Sequence, residues 1–284
     1  MKRLLFYSIL LVAGAISHDA FGQQQITAMS YNIRLDAASD GENRWDLRKD
    51  RVAGLMNYYG ADFIGAQEVL HHQLTYLAQN LPGYNYIGVG RDDGKQKGEY
   101  SCIFYNSRQF KVISSATFWL SPTPQVPSKG WDAALNRVCT YGLFQHKKTK
   151  HKVWVFNTHF DHSGQQARRE SAKLIVAKIA EVNRKNYPVI VTGDFNLKPE
   201  EAPVQYMCEH LQNTRSVSKL VYGNADTWNG FKFNEQPQGT IDYIFTNRHS
   251  KLSVSKFATL TDSYERKYPS DHFPVMATLQ LAKR

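Results

Sequence analysis

The sequence predicts an α/β domain of two β-sheets with helices over them, and three observations predict it. Strand-type alternation and helical periodicity trade places along the whole chain. The middle carries consecutive strand-like runs joined by short turns. No internal repeat, low-complexity tract or Pro/Gly-rich linker divides the 284 residues. Strands joined by hairpin turns run antiparallel and strands followed by helices return parallel, so the sheets should be mixed rather than all-parallel. With 42% hydrophobic and 13% aromatic residues the chain can fill a substantial core, and one domain over residues 23–284 accounts for it.

Residues 25–33 alternate as a strand does, and residues 46–58 then follow helical spacing that puts Leu47, Val52, Leu55 and Met56 on one face. The short apolar run 62–66 reads as a buried strand that delivers Glu68 at its end. Residues 71–80 form a second amphipathic helix, stopped by Pro82-Gly83. Strand-like runs follow at 84–89, 101–105, 110–113, 137–145 and 152–157, with Lys147-Lys148 and Lys150-His151-Lys152 in a hairpin turn between the last two. Residues 165–183 give the longest helical pattern, its buried side supplied by Ala172, Leu174, Ile175, Ala177, Ile179 and Ala180. Val189-Ile190-Val191 is a short buried strand leading to a turn at Gly193, and strands at 241–246 and 273–281 complete the series.

The first residues belong to export rather than to the fold. Lys2-Arg3 is basic, residues 4–16 are almost wholly apolar, and Ala20 and Gly22 are small at the −3 and −1 positions of a cleavage before Gln23. A signal peptide over residues 1–22 is expected, because the apolar stretch is shorter than the roughly 20 residues a spanning helix needs. No cysteine follows it to carry a lipoprotein anchor, so the mature chain is expected to be secreted or periplasmic without stable membrane insertion. Cleavage takes two positive charges and one negative from the net of +10 and leaves a strongly basic protein. That balance favours anionic partners such as nucleic acid, anionic lipid or phosphorylated glycan, although lysines and arginines spread along a chain also describe a plain solvated surface. The three cysteines, Cys102, Cys139 and Cys208, exclude a disulfide framework. Cys102 and Cys139 lie in apolar runs, as buried small hydrophobes or as a single bridge, and neither has the surroundings of a catalytic thiol or a zinc site.

The chemistry lies in short polar islands beside these apolar runs. A carboxylate emerging from a buried strand, as Glu68 does, is costly unless it is paired or holds a metal. Alone it is as well read as a cap, and Asn32 after its own strand is as well read as a turn residue. In Gly193-Asp194-Phe195-Asn196, alternation puts Asp194 and Asn196 on one face and Phe195 in the core. An anion that takes a proton from water, with an amide that orients the water, suits in-line attack on phosphorus. Asp271-His272 offers a carboxylate for a metal and an imidazole able to donate to a phosphoryl oxygen.

Taken in order, Tyr31-Asn32, Glu68, Glu99, His159 within Asn157-Thr158-His159-Phe160-Asp161-His162, Asp194-Phe195-Asn196, Asp242 and Ser270-Asp271-His272-Phe273-Pro274 resemble the endonuclease/exonuclease/phosphatase superfamily. The resemblance covers nearly all of the mature chain. It implies a four-layer α-β-β-α sandwich of two mixed sheets and a secreted, divalent-metal-dependent phosphoester hydrolase, with a phosphodiesterase or nuclease leading. Phosphomonoesters and phospholipid or sugar-phosphate diesters remain as substrates, and a non-catalytic binding protein on the same fold is the alternative of another class. Carried over by motif, Glu68 looks like the main Mg²⁺ ligand, with Mn²⁺ as a substitute and with Asn32 and Asp271 beside the ion. Asp194 would activate the attacking water and Asn196 position it. His159 with Glu99, and His272 with Asp242, would form two histidine–carboxylate pairs facing the phosphoryl group, each carboxylate raising its histidine's proton affinity. Arg91, before Asp92-Asp93-Gly94, and Arg137, near Trp131-Asp132 and Asn136, make the chain similar to an uncharacterised, mainly bacterial secreted branch. Arg91 and Arg137 either grip a second phosphate or carboxylate or tie their loops to the scaffold, and Trp131 reads as a loop anchor.

Overall fold

The computed structural model describes residues 24–249 and 251–282; the expected signal peptide lies outside them. The chain runs β1 (Gln24–Asn32), α1 (Trp45–Tyr59), β2 (Phe63–Val69), α2 (His71–Asn80), β3 (Tyr84–Ile87), β4 (Tyr100–Asn106), β5 (Phe110–Trp119), β6 (Val138–His146) and β7 (Lys152–His159). It continues through α3 (Gln165–Val182), β8 (Val189–Asp194), α4 (Ala202–His210), β9 (Gln212–Asn213), α5 (Thr214–Val217), β10 (Leu220–Tyr222), β11 (Asp242–Thr246), β12 (Leu252–Thr259) and β13 (Val275–Leu281). One sheet is ordered β10-β12-β13-β1-β2-β4-β3 and the other β5-β6-β7-β8-β11-β9. Both are mixed: β1 pairs parallel with β2 and antiparallel with β13, and β7 pairs parallel with β8 but antiparallel with β6.

Alternation along each strand builds the four layers. On β1, Met29 and Tyr31 pack outward with Val52, Leu55 and Met56 of α1 and Leu74 and Leu77 of α2. Its alternate residues Ile26 and Ala28 point inward, where they join Phe63, Val153, Val155, Ile190, Ile244, Val275 and Ala277 in the core between the sheets. The second sheet turns Trp154, Phe156, Val191, Phe195, Tyr243 and Phe245 to Ala172, Ile175 and Ile179 of α3 and to Val204 and Met207 of α4. Helix α1 stops at Gly60, whose left-handed backbone (φ 56°) lets its N–H reach the Met56 carbonyl. Cys102 and Cys139 are buried free thiols on different sheets, Cys102 on β4 and Cys139 on β6.

Six elements depart from the sequence reading. Strand β5 runs on to Trp119 past a register shift between Val112 and Ser114, because a bulge breaks the alternation that marks a strand. Strand β12, half-exposed and paired with β13 and β10, was not anticipated, nor were helices α4 and α5 and the short strands β9 and β10. Lys147–Lys150 do form the β6–β7 turn, in which the Lys150 N–H bonds the His146 carbonyl. Among the described residues no helix is long and apolar enough to cross a membrane.

Candidate active site

The inward row of each central strand is apolar along most of its length and turns polar at one end. On β1 it runs Ile26, Ala28, Ser30, Asn32; on β7, Val153, Val155, Asn157, His159; on β8, Ile190, Thr192, Asp194. Strand β11 runs the other way, so Asp242 at its start sits opposite Asp194, and His159 lies opposite Asp194 on the other side. Three strands therefore deliver His159, Asp194 and Asp242 in one line. Behind them a buried network closes the gap between sheets: Asn157 accepts from Gln67 Nε2 (2.7 Å) and Thr192 Oγ1 (3.0 Å) and donates to the Ala66 and Cys102 carbonyls (2.9 and 2.8 Å). Gly65 leaves room for it, since a Cβ there would lie 2.0 Å from Thr192 Oγ1.

Glu68 reaches the same place by breaking the rule. Ile64 and Ala66 face the helices, and strict alternation would send Glu68 after them. Instead the β2–β4 register shifts between Ala66 and Val69, Glu68 takes a left-handed backbone (φ 61°), and Val69 rejoins the helix side. Asn196 (φ 50°) and Arg34 (φ 59°) hold the same sparsely populated conformation. Loop residues elsewhere share this conformation, but at these three it aims polar groups toward one cavity.

The groups converge on Asp194. Asn32 Nδ2 donates to Asp194 Oδ2 (2.9 Å) and to Glu68 Oε1 (3.0 Å), while its Oδ1 accepts the Arg34 N–H (2.9 Å). Here Asn32 clasps two carboxylates with its nitrogen. The Asn196 N–H holds Asp194 Oδ1 (2.9 Å), and His159 Nε2 and His272 Nε2 stand 3.5 and 3.8 Å from Asp194 Oδ2. His272 Nδ1 meets Asp242 Oδ2 at 2.9 Å, with Thr227 Oγ1 donating to the same oxygen at 2.5 Å.

A hard divalent cation fits this donor set. Glu68, His159 and Asp194 offer ligand atoms all within 4.8 Å of one another, and Asp271 lies close enough that Glu68 raises its proton affinity. Arg34 approaches both Glu68 and Asp271 only to 3.9 Å and gives its hydrogen bonds to Asp40 (2.8 and 2.9 Å). Three buried or nearly buried carboxylates thus share a corner in which the nearest positive charges, Arg34 at 3.9 Å from Glu68 and Asp271 and His272 at 3.8 Å from Asp194, stand beyond hydrogen-bond distance.

Their surroundings shift the proton affinities of the two histidines in opposite directions. Burial opposes protonation of His272, but Asp242 and then Asp194 outweigh it and hold the pKa well above the usual imidazole value. His159 moves the other way: burial first, then the Arg137 and Arg91 charges, push it well below. Burial, reinforced by Asp242, pushes the Asp194 carboxyl up to about 7. Burial also raises Asp271 and Glu99. The expected Glu99–His159 pair is therefore looser than its counterpart. Glu99 Oε2 lies 3.9 Å from His159 Nδ1 because Arg91 Nη1 already holds it at 2.7 Å.

A cavity of about 500 Å³ opens over these groups, lined by Glu68, Glu99, His159, Asp194, Asn196, Asp271 and His272, with Arg34, Leu35, Leu135, Arg137, His162, Trp228 and Ile241 around them. Asn32 and Asp242 stand behind that surface. Arg91 is absent from the lining, its carbonyl taking the Trp119 indole N–H (2.7 Å), and of the two roles the sequence leaves open for it the scaffold one fits this place. Trp131 also lies off the cavity, while its neighbour Asp132 accepts the Gln166 and Ala167 N–H groups at the start of α3 (3.1 and 2.7 Å). Trp228, His162 and Leu135 were not singled out in the sequence: Trp228 lies in a loop without periodicity, and His162 was visible only as the last residue of the His159 motif.

Comparison with known proteins follows the same span. The profile of the Endonuclease/Exonuclease/phosphatase family matches residues 29–272. The solved structure of an endonuclease/exonuclease/phosphatase family protein from Bacteroides thetaiotaomicron is 39% identical, with a TM-score of 0.89 over 93% of this chain and 100% of that one. The mannosyl-6-phosphatase of Bacteroides thetaiotaomicron VPI-5482 is 41% identical, with a TM-score of 0.87 over 89% and 99%. Nocturnin of Mus musculus is 24% identical over 88% of this chain and 63% of its own length. The chain spans less than two thirds of the length of the curated relatives it first matches.

Proposed function

The chain belongs to the Endonuclease/Exonuclease/phosphatase family of phosphoester hydrolases, and from that premise we propose that it is an exported, Mg²⁺-dependent phosphomonoesterase acting on a small phosphorylated sugar. The observation that carries this reading is the charge balance of the cavity. Arg34 is paired with Asp40, Arg91 with Glu99 and Arg137 with Asp161, so both arginines that line the cavity, and Arg91 behind it, have a carboxylate of their own. A polyanion track needs unbalanced cations along its course. A monoester concentrates its charge at one end, where His272 and a metal suffice. The 41% identity to a mannosyl-6-phosphatase over almost the whole chain points the same way. The signal-like N-terminus supports export.

Glu68 and Asp271, with Asp194 beside them, would hold the ion. When bound, it supplies positive charge against the phosphoryl oxygens and the leaving oxygen. Asp194, its proton affinity raised by burial, takes the proton of the attacking water, and the Asn196 N–H keeps the carboxylate aimed. His272, protonated through its contact with Asp242, donates to a phosphoryl oxygen. His159 stays neutral; its Nε2 accepts from Asn196 Nδ2 (3.0 Å), which leaves its proton on Nδ1, toward Glu99.

A nuclease remains the second reading, favoured by the net charge of +10. The deciding experiment compares kcat/KM on mannose 6-phosphate, bis(p-nitrophenyl) phosphate and supercoiled plasmid in Mg²⁺, with EDTA and His272→Ala as controls. Preference for the monoester, lost in both controls, is expected. Plasmid nicking lost in both controls, without monoester turnover, would put the nuclease first.

A further inference from the structure

The flank of the cavity beside His159 carries no unbalanced charge and yet offers hydrogen-bond donors. Leu135, Arg137 and His162 form it. Arg137 is 4% exposed, its Nε donates to Asp161 Oδ2 at 3.3 Å, and its Nη2 lies 3.0 Å from His162 Nδ1. Asp161 in turn accepts the N–H groups of Ala134, Leu135, Ser163 and Gly164 (3.1, 3.3, 3.0 and 2.8 Å), which fixes Arg137 and the His162 loop together.

A guanidinium nitrogen has no lone pair to accept with, so the proton in the Arg137–His162 contact belongs to arginine and His162 Nδ1 is the acceptor. The His162 ring is then neutral with its proton on Nε2, and that N–H has no protein partner among the described residues. Arg137 Nη1 also lacks an acceptor but is itself buried, so the donor that meets the cavity is the His162 N–H. On the His272 side the cavity is bounded by Trp228, whose backbone bridges to His272, and by Ile241. A neutral donor on one side and an aromatic side chain on the other match an uncharged ring bearing hydroxyls. A second phosphate would require a cation that Asp161 has already neutralised.

We infer that His162, held in orientation and tautomer by Arg137, recognises a hydroxyl of the sugar esterified to the phosphate, with Trp228 covering a face of the sugar ring. This rests on the phosphomonoesterase reading and names the part of that site which selects the alcohol. His162 touches the substrate; Arg137 is a positioning residue acting through it.

The test compares KM and kcat on mannose 6-phosphate with those on p-nitrophenyl phosphate, whose leaving group has no hydroxyl besides the one esterified, in Mg²⁺. His162→Leu keeps the bulk of an exposed side chain and removes the donor; His162→Gln keeps a donor; Arg137→Lys keeps a charge for Asp161 but loses the hold on His162. With melting temperatures matched, His162→Leu and Arg137→Lys are expected to raise KM on the sugar ester about tenfold more than on the aryl ester, and His162→Gln to recover most of that selectivity. Equal changes on both esters, or none on either, overturn the inference and leave the phosphomonoesterase reading standing. A wild-type protein that turns over neither ester removes both.

Discussion

His159 and His272 are the same residue, equally buried, on either side of one aspartate, and they hold protons in opposite ways. Burial opposes the charged form of both. The difference lies in what else each carboxylate touches. Asp242 meets His272 at 2.9 Å and is steadied by Thr227, whereas Glu99 is engaged by Arg91 and lies 3.9 Å from His159. Because the folded pKa of His272 lies above the free value of about 6.5, its pair contributes stability that is full below that pH and is lost as pH rises through the elevated pKa. The same ionisation sets the alkaline limb of activity if His272 acts protonated. Asp242→Asn should move that limb to lower pH and reduce kcat about a hundredfold, with the imidazole titration followed by NMR moving down in parallel. An unchanged pH profile would take His272⁺ out of the reaction. At Asp194 stability and function oppose each other. Its carboxyl is pushed up to about 7, so the metal-free protein should lose stability as pH rises from about 3.9 toward 7. Asp194→Asn should melt higher than wild type at pH 8 without metal while turnover falls by two orders of magnitude or more. A lower melting point would mean that the ionised carboxylate is better compensated than its burial implies.

The strands show where a sequence pattern carries the site and where it stops. Alternation on β1, β7 and β8 runs unbroken from apolar core to polar end and carries Asn32, His159 and Asp194 to the site; in the sequence it singles out Asp194, while Asn32 and His159 are placed by the family resemblance. Glu68 was placed at the end of its strand, but its side was not legible, because the bulge that turns it inward leaves no local signal beyond a non-glycine residue with positive φ. Bulging also hid the second half of β5, and β12 went unnoticed because its alternating side chains are only half buried. The close approach of β2 to β7 and β8 depends on Gly65, where a methyl group would collide with Thr192 Oγ1 at 2.0 Å and Asn157 Oδ1 at 2.5 Å. Both atoms belong to the buried network and have little freedom to retreat. Gly65→Ala is expected to destabilise the fold by about 2 kcal/mol, read as a lower urea midpoint with unchanged m-value. A midpoint equal to wild type would show that the sheets have room to separate there.

At the scale of the whole molecule, the two sheets each contribute part of a negative corner that neither would tolerate alone. The first sheet brings Asn32 and Glu68, the second His159, Asp194 and Asp242, and the segment before β13 brings Asp271 and His272. This convergence was legible through the order of the motifs. The cavity rim was not, because Leu135, His162 and Trp228 come from loops whose course depends on tertiary contacts such as the Asp161 turn and the Trp228–His272 bridge. A corner in which burial raises the proton affinity of Asp194 and Asp271 has a predictable response to divalent cations. At pH 5 Asp194 holds a proton that an ion must displace, and burial shifts Asp271 in the same direction; at pH 8 Asp194 is ionised in a place where burial disfavours its charge, and an ion relieves that cost. Mg²⁺ or Mn²⁺ should therefore raise the melting temperature more at pH 8 than at pH 5. At a thousandfold excess over Kd the gain is about 4 kcal/mol, or on the order of 10 °C for a domain of this size. Glu68→Ala and Asp271→Ala should each reduce the shift while leaving the Asn32–Asp194 clasp in place. Equal shifts at both pH values, or shifts that survive both substitutions, would place the ion elsewhere and leave this corner to be balanced by protons alone.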